Sequence, residues 1–123
     1  RSKYARDVRL KVDLARNHLA GKEMEIGRFY LTRGQHLAAI NRFRRVLHDY
    51  DTTDQVPEAL HRLTASYLAL GLNDEAEKTA AVLGHNYPGS DWYQDSYALV
   101  KTGRPHSAEA EGDGLLGLGL WIF

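Results

Sequence analysis

Shifted by 37 positions, this sequence lies over itself. The shift aligns Ile26 with Leu63, Tyr30 with Tyr67, Gly34 with Gly71, Ala39 with Ala76, Val46 with Leu83 and Tyr50 with Tyr87, without a gap. A period of that size marks stacked supersecondary units, none of which can bury its apolar face alone. The units are helical. Only Pro57, Pro88 and Pro105 interrupt the chain, alanine and leucine are abundant, and β-branched residues never gather in alternating runs. Each copy reads as a helix ending near a glycine, a short turn, and a second helix ending near an aromatic residue.

The chemistry of the recurring positions explains the pattern. Gly34 and Gly71 fall where a helix must stop, and glycine takes up the left-handed conformation of such a cap at low cost. Ala39 and Ala76 are small, so the second helix of each pair can approach the first. Ile26 with Tyr30, and Leu63 with Tyr67, are four apart and share a helix face. The series Ile26, Gly27, Tyr30, Ala39, Phe43, Val46 and its counterpart Leu63, Thr64, Tyr67, Ala76, Ala80, Leu83 match the tetratricopeptide pattern, with Thr64 and Ala80 the weaker members.

The predicted architecture is an all-α tetratricopeptide-repeat (TPR) solenoid with two helix pairs, a long leading helix and a C-terminal capping helix. Its bounds are 3–21 for the leading helix, 22–51 and 54–88 for the repeats, and 91–101 for the capping helix, within one TPR domain over 1–101. Ser2, Thr53 and Ser90 each stand five residues before a carboxylate, at Asp7, Glu58 and Asp95, and are expected to open helices. Fourteen extra residues separate the first two of these starts. Lys3 to Arg33 is therefore one very long helix, or two collinear ones with a break near Gly21. Residues 102–114 read as a flexible linker, and Leu115 to Phe123 as an apolar tail that would dock on a surface.

Composition narrows the function. The 123 residues carry no net charge, but residues 1–50 hold twelve basic and five acidic side chains, and residues 51–123 hold four and eleven. Cysteine is absent, which removes disulfides, thiolate nucleophiles and zinc-cysteine sites. The longest apolar run is nine residues, well short of the ~20 that cross a bilayer as a helix. A first residue of Arg1 rather than Met leads us to expect a processed or excised piece. His18, His36, His48, His61, His85 and His106 show no i, i+4 pairing, so no metal is expected. Gly114 to Gly119 lacks the strand and helix of a phosphate loop, and no serine sits in a nucleophile elbow. Glu75 and Glu77 read as solvation. Nothing points to catalysis or a cofactor, and the basic helices lack the aromatic platforms of a nucleic-acid site.

From His18 to Leu99 the chain resembles the BamD family of outer-membrane assembly lipoproteins, in its alphaproteobacterial form. The residues that carry this are Leu19-Ala-Gly-Lys-Glu-Met24, Ile26-Gly-Arg-Phe-Tyr30, Arg33-Gly34, Leu37-Ala-Ala-Ile-Asn-Arg-Phe43, Pro57-Glu-Ala-Leu60, Tyr67-Leu-Ala-Leu-Gly-Leu72, Glu75-Ala76 and Tyr87-Pro-Gly-Ser90 with Trp92-Tyr93. The family has five repeats behind a lipidated cysteine, so two repeats and a leading helix correspond to its C-terminal half. The resemblance implies a scaffold at the periplasmic face of the outer membrane. Its partners would be the POTRA domains of BamA, chiefly the one nearest the barrel, with other lipoproteins of the complex as further candidates. Membrane contact would come through a lipid anchor outside this stretch, or through the tail.

The resemblance also implies a surface: Tyr30 and Arg33 at the end of the long helix, and Asn41, Arg42 and Arg45 on the helix after it. The Asn41-Arg42 pair matches an Asn-Arg of the family whose arginine is held to meet a POTRA carboxylate. An arginine fork suits a carboxylate because two N–H donors meet two oxygens. Against these stand plainer readings. Tyr30 and Tyr67 occupy packing positions, Arg44 is surface, and Arg28 would face the concave groove. A general periplasmic TPR adaptor of the Tol-Pal-associated type is the alternative function.

Overall fold

The structure, a computed structural model, describes residues 2–103. The stretch from residue 104, with most of the predicted linker, His106 and the apolar tail, lies outside the described residues. Five helices follow in order: α1 (Ser2–Thr32), α2 (His36–Asp49), α3 (Val56–Ala69), α4 (Asn73–Asn86) and α5 (Asp91–Thr102). Successive helices pack as antiparallel neighbours, α1 on α2, α2 on α3 and α3 on α4, and α5 closes on both α3 and α4. Two tetratricopeptide-type helix pairs with a closing helix result.

At 31 residues, α1 is roughly 46 Å long at 1.5 Å per residue, and it passes through Gly21 without a break. Its two halves differ in character. Every side chain from Lys3 to Ala15 is exposed, including Val8 and Val12, whose helical spacing the sequence shows. Burial starts at Ala20 and continues through Met24, Gly27 and Leu31, a stripe of period four-three-four. That stripe meets Ala39, Ile40, Phe43 and Val46 of α2, the start of a core that continues into Val56, Ala59, Leu60 and Leu63 of α3 and Leu83 of α4.

The first pair packs tightly at Gly27. A Cβ built there would collide with the Phe43 ring, so the small residue on α1 makes room for the large one on α2. Gly84 and Tyr93 repeat the device where α4 meets α5, a contact the sequence pattern did not announce.

The two pairs turn by the same mechanism. Gly34 and Gly71 have φ of 71° and 77°, the left-handed region. Beyond each glycine, a backbone N–H reaches back five residues: Gln35 to the Tyr30 carbonyl at 3.0 Å, and Leu72 to the Tyr67 carbonyl at 2.8 Å. These are Schellman closures, which satisfy carbonyls that the end of a helix leaves without partners. They fall at positions 37 apart, as the repeat requires.

Helix starts depart in part from expectation. Ser90 caps α5, its hydroxyl accepting from the Trp92 N–H at 3.1 Å. Thr53 does not cap α3. That helix starts at Val56 behind Gln55, with Pro57 in its first turn, and the Thr53 hydroxyl instead donates to the Tyr50 carbonyl at 2.7 Å. Pro57 explains the shift, because a proline fits the first helical turn where no N–H is needed.

The weaker pattern positions are as buried as the strong ones. Thr64 is fully buried, with its hydroxyl donating to the Leu60 carbonyl at 2.9 Å, and Ala80 is buried on α4. As the central helix, α3 also buries His61 and Ser66. The His61 Nδ1 shares a 2.8 Å hydrogen bond with Ser96 of α5, and its ring lies 5.3 Å from that of Trp92.

Candidate functional site

The helical period decides which side of α2 is available. Phe43 and Val46 point into the core, so Arg42 and Arg45, one turn apart, fall on a flank that borders α1. There they meet Glu23. Arg42 Nη1 lies 3.3 and 3.5 Å from the two oxygens of Glu23, and Arg45 Nη1 lies 3.5 Å from Oε1. The carboxylate is the least accessible member, with its side chain 14% exposed against 29% for Arg42 and 50% for Arg45. Two guanidinium groups thus share one mostly buried anion, leaving a residual positive charge on the flank.

The remaining sequence-predicted residues fall around this centre in different ways. Asn41 is exposed on α2. Arg33 is not drawn to Glu23; it is exposed past the end of α1, with its guanidinium 4.6 Å from the centroid of the Phe29 ring. Phe29 is itself exposed, so cation and ring form a small patch at the mouth of the first turn. Tyr30 is half-buried and packs on the core beside Phe29, with ring centroids 6.1 Å apart. Its clearest task is structural, since its carbonyl accepts from both Arg33 and Gln35 in closing the turn.

Glu23 and Phe29 were not among the predicted site residues, although a signal for Glu23 existed. In an antiparallel helix pair, residues equidistant from the turn face each other. Glu23 and Arg45 each stand eleven positions from Gly34.

A second arginine-carboxylate centre lies between the first helices of the two pairs. Glu58 of α3 accepts from Arg28 of α1 at 2.8 Å and from Arg62 of α3 at 3.3 Å. The Arg62 guanidinium lies 5.6 Å from the Trp92 ring centroid, which ties α5 to the same group. Arg28, expected to face a groove, is half-buried and bound to Glu58.

Among the described residues no group of three or more His, Cys, Asp or Glu side chains could hold a metal ion, and no helix is long and apolar enough to cross a membrane. Paired antiparallel helices closed by a fifth helix define a TPR-type helical-repeat module, which carries a flank of shared arginines and a cation-aromatic patch.

Comparison with known proteins gives that class a family. The family model described as YfiO, outer membrane lipoprotein, matches residues 1–83. Outer membrane protein assembly factor BamD of Rickettsia prowazekii is 58% identical over 100 residues, covering 81% of this chain and 40% of the relative. The protein of the same name from Caulobacter vibrioides is 54% identical over 99 residues, 80% of this chain and 32% of the relative. That of Neisseria meningitidis serogroup A is 37% identical over 89 residues, 72% and 33% of the two chains. No solved structure matches. The chain belongs to this family of outer-membrane lipoproteins, the BamD assembly factors, and spans between 32% and 40% of the length of these three relatives.

Proposed function

We propose that this chain is the BamA-binding part of a non-catalytic scaffold subunit of the outer-membrane protein assembly (BAM) complex. In this reading it grips the POTRA domains of BamA, chiefly the one nearest the barrel, and so supports the folding and insertion of β-barrel proteins. The contact surface comprises Arg42 and Arg45 with Asn41 beside them, and Arg33 with Tyr30 at the mouth of the turn.

The observation that carries the reading is the shared anion. Arg42 and Arg45 meet Glu23 through one terminal nitrogen each, so the rest of each fork remains available to a partner. A partner carboxylate would form charge-assisted, directional hydrogen bonds there. The family relationship supplies the context, since the relatives carry the name of outer membrane protein assembly factors.

Arg42→Glu tests it. The variant should lose at least ~100-fold in affinity for a purified BamA POTRA region, the scale on which removing one member of a close charge pair acts. Its helical circular dichroism should stay that of the parent. Undiminished binding would remove Arg42 from the contact surface.

A further inference from the structure

Glu23 belongs to neither the partner nor the core, and its position calls for a reason. It lies on α1 one residue before Met24, which is fully buried, yet its carboxylate points to the flank where two arginines converge. Arg42 and Arg45 are one turn apart on α2 and would repel each other if nothing stood between them. We propose that Glu23 is a positioning residue: it holds both guanidinium groups from behind as a receptor for a single carboxylate, an aspartate or glutamate side chain of the partner. This rests on the reading that Arg42 meets a partner anion, and it adds what prepares Arg42 to do so.

Three features argue for positioning rather than competition. The contacts are long, 3.3 to 3.5 Å, and use only Nη1 of each arginine, so Glu23 anchors the groups without saturating their donors. Glu23 is mostly buried while the arginines grow more exposed outward, so a ligand arriving from solvent meets N–H donors before it meets the carboxylate. The three charges sum to one positive charge, which one carboxylate neutralises; a phosphate dianion would leave the site negative. Long side chains ordered before binding lose less conformational freedom on binding, and that preorganisation slows dissociation more than it speeds association.

The test measures association and dissociation rates of the full chain with a purified BamA POTRA region over a range of salt concentrations, with thermal melts alongside. The variants are Glu23→Gln, Glu23→Asp, Arg42→Ala and the double variant Glu23→Gln/Arg42→Ala. Glu23→Gln should raise the dissociation rate about tenfold. It should also steepen the salt dependence of association, because the site gains a net positive charge. Glu23→Asp keeps the charge and should restore most of the slow dissociation. In the double variant the Glu23 effect should shrink to the part that acts through Arg45, so the combined loss should be less than the sum of the two single losses. The steeper salt dependence follows from the charge whatever the role, but a structural role alone would lower the melting temperature and add its loss in full to that of Arg42→Ala. An unchanged dissociation rate in Glu23→Gln, or tighter binding, overturns the positioning role while Arg42→Ala still reports on the contact itself. Undiminished binding by Arg42→Ala overturns both.

Discussion

His61 shows what the interior of this protein requires of a single side chain. It is fully buried on α3 between Ser96 and Trp92, and burial, with a smaller contribution from the neighbouring Arg62 charge, lowers its pKa from 6.5 to about 3. The folded protein therefore keeps the ring neutral at pH values where the unfolded chain takes up a proton. Stability is retained above pH 6.5 and lost progressively as pH falls from 6.5 towards 3, at up to about 1.4 kcal/mol per pH unit. Carboxylates titrate in part of the same window, so the measurement is a difference. His61→Gln should be less stable than the parent at pH 7.5, and the gap should close by about 2 kcal/mol when both are melted at pH 5. A gap that stays constant would mean that His61 is protonated in the folded state. From the sequence, six scattered histidines gave no way to tell this one from the rest, because its burial arises only when α5 closes over α3. Gly27 and Phe43 were legible as a small and a large position of the repeat pattern, but their meeting is seen only once α1 and α2 pack together.

Among the elements, the long leading helix, both helix pairs and the closing helix were readable, whereas the start of α3 was not. The two turns are copies, and Gly71 closes the second with a φ of 77°. An alanine there would force a side chain into left-handed backbone at a cost of about 1–2 kcal/mol. Gly71→Ala should accordingly lower the melting temperature by roughly 4–8 °C per kcal/mol for a domain of this size. Gly89→Ala is the control: that glycine has no positive φ and nothing near its missing Cβ, so the variant should melt within about 1 °C of the parent. Equal losses in both would mean that the left-handed backbone at Gly71 is not the cause. The start of α3 is the contrasting case. A threonine at a suitable distance from a glutamate suggested a cap, but Pro57 fixed the first turn three residues later, and local backbone chemistry prevailed over the periodic argument. The arginine flank was half legible. The helical period alone places Arg42 and Arg45 side by side, whereas their partner needed the antiparallel pairing across Gly34 to be found.

For the whole molecule, the division of charge and the shape of α1 are one matter. Of the twelve basic side chains in the first fifty residues, Lys3, Arg6, Arg9, Lys11 and Arg16 lie on the first half of α1, against Asp7 and Asp13. That half is also the part with no buried side chain before Ala20, and it holds Tyr4, Leu10 and Leu14 at least 60% exposed. Tethers to the body begin only at Arg16, which donates to the Asp49 carbonyl at 3.0 Å, and at Asn17, which accepts from the Asp54 N–H at 3.4 Å. A helical segment of about fourteen residues without packing is marginal in water, because its hydrogen bonds barely offset the entropy of ordering the backbone. Amides of residues 3–15 should therefore exchange with solvent deuterium at least ~100-fold faster than those of residues 24–31, which line the core. The comparison should be made by mass spectrometry on proteolytic fragments, over a dilution series. Uniform protection along α1 at every concentration would contradict this account and would require the first half to be held by contacts within the chain. Protection that appears only at high concentration would locate the missing contacts in a second copy. Fast exchange throughout leaves the body, from Ala20 to α5, as the cooperative unit that presents Arg42 and Arg45.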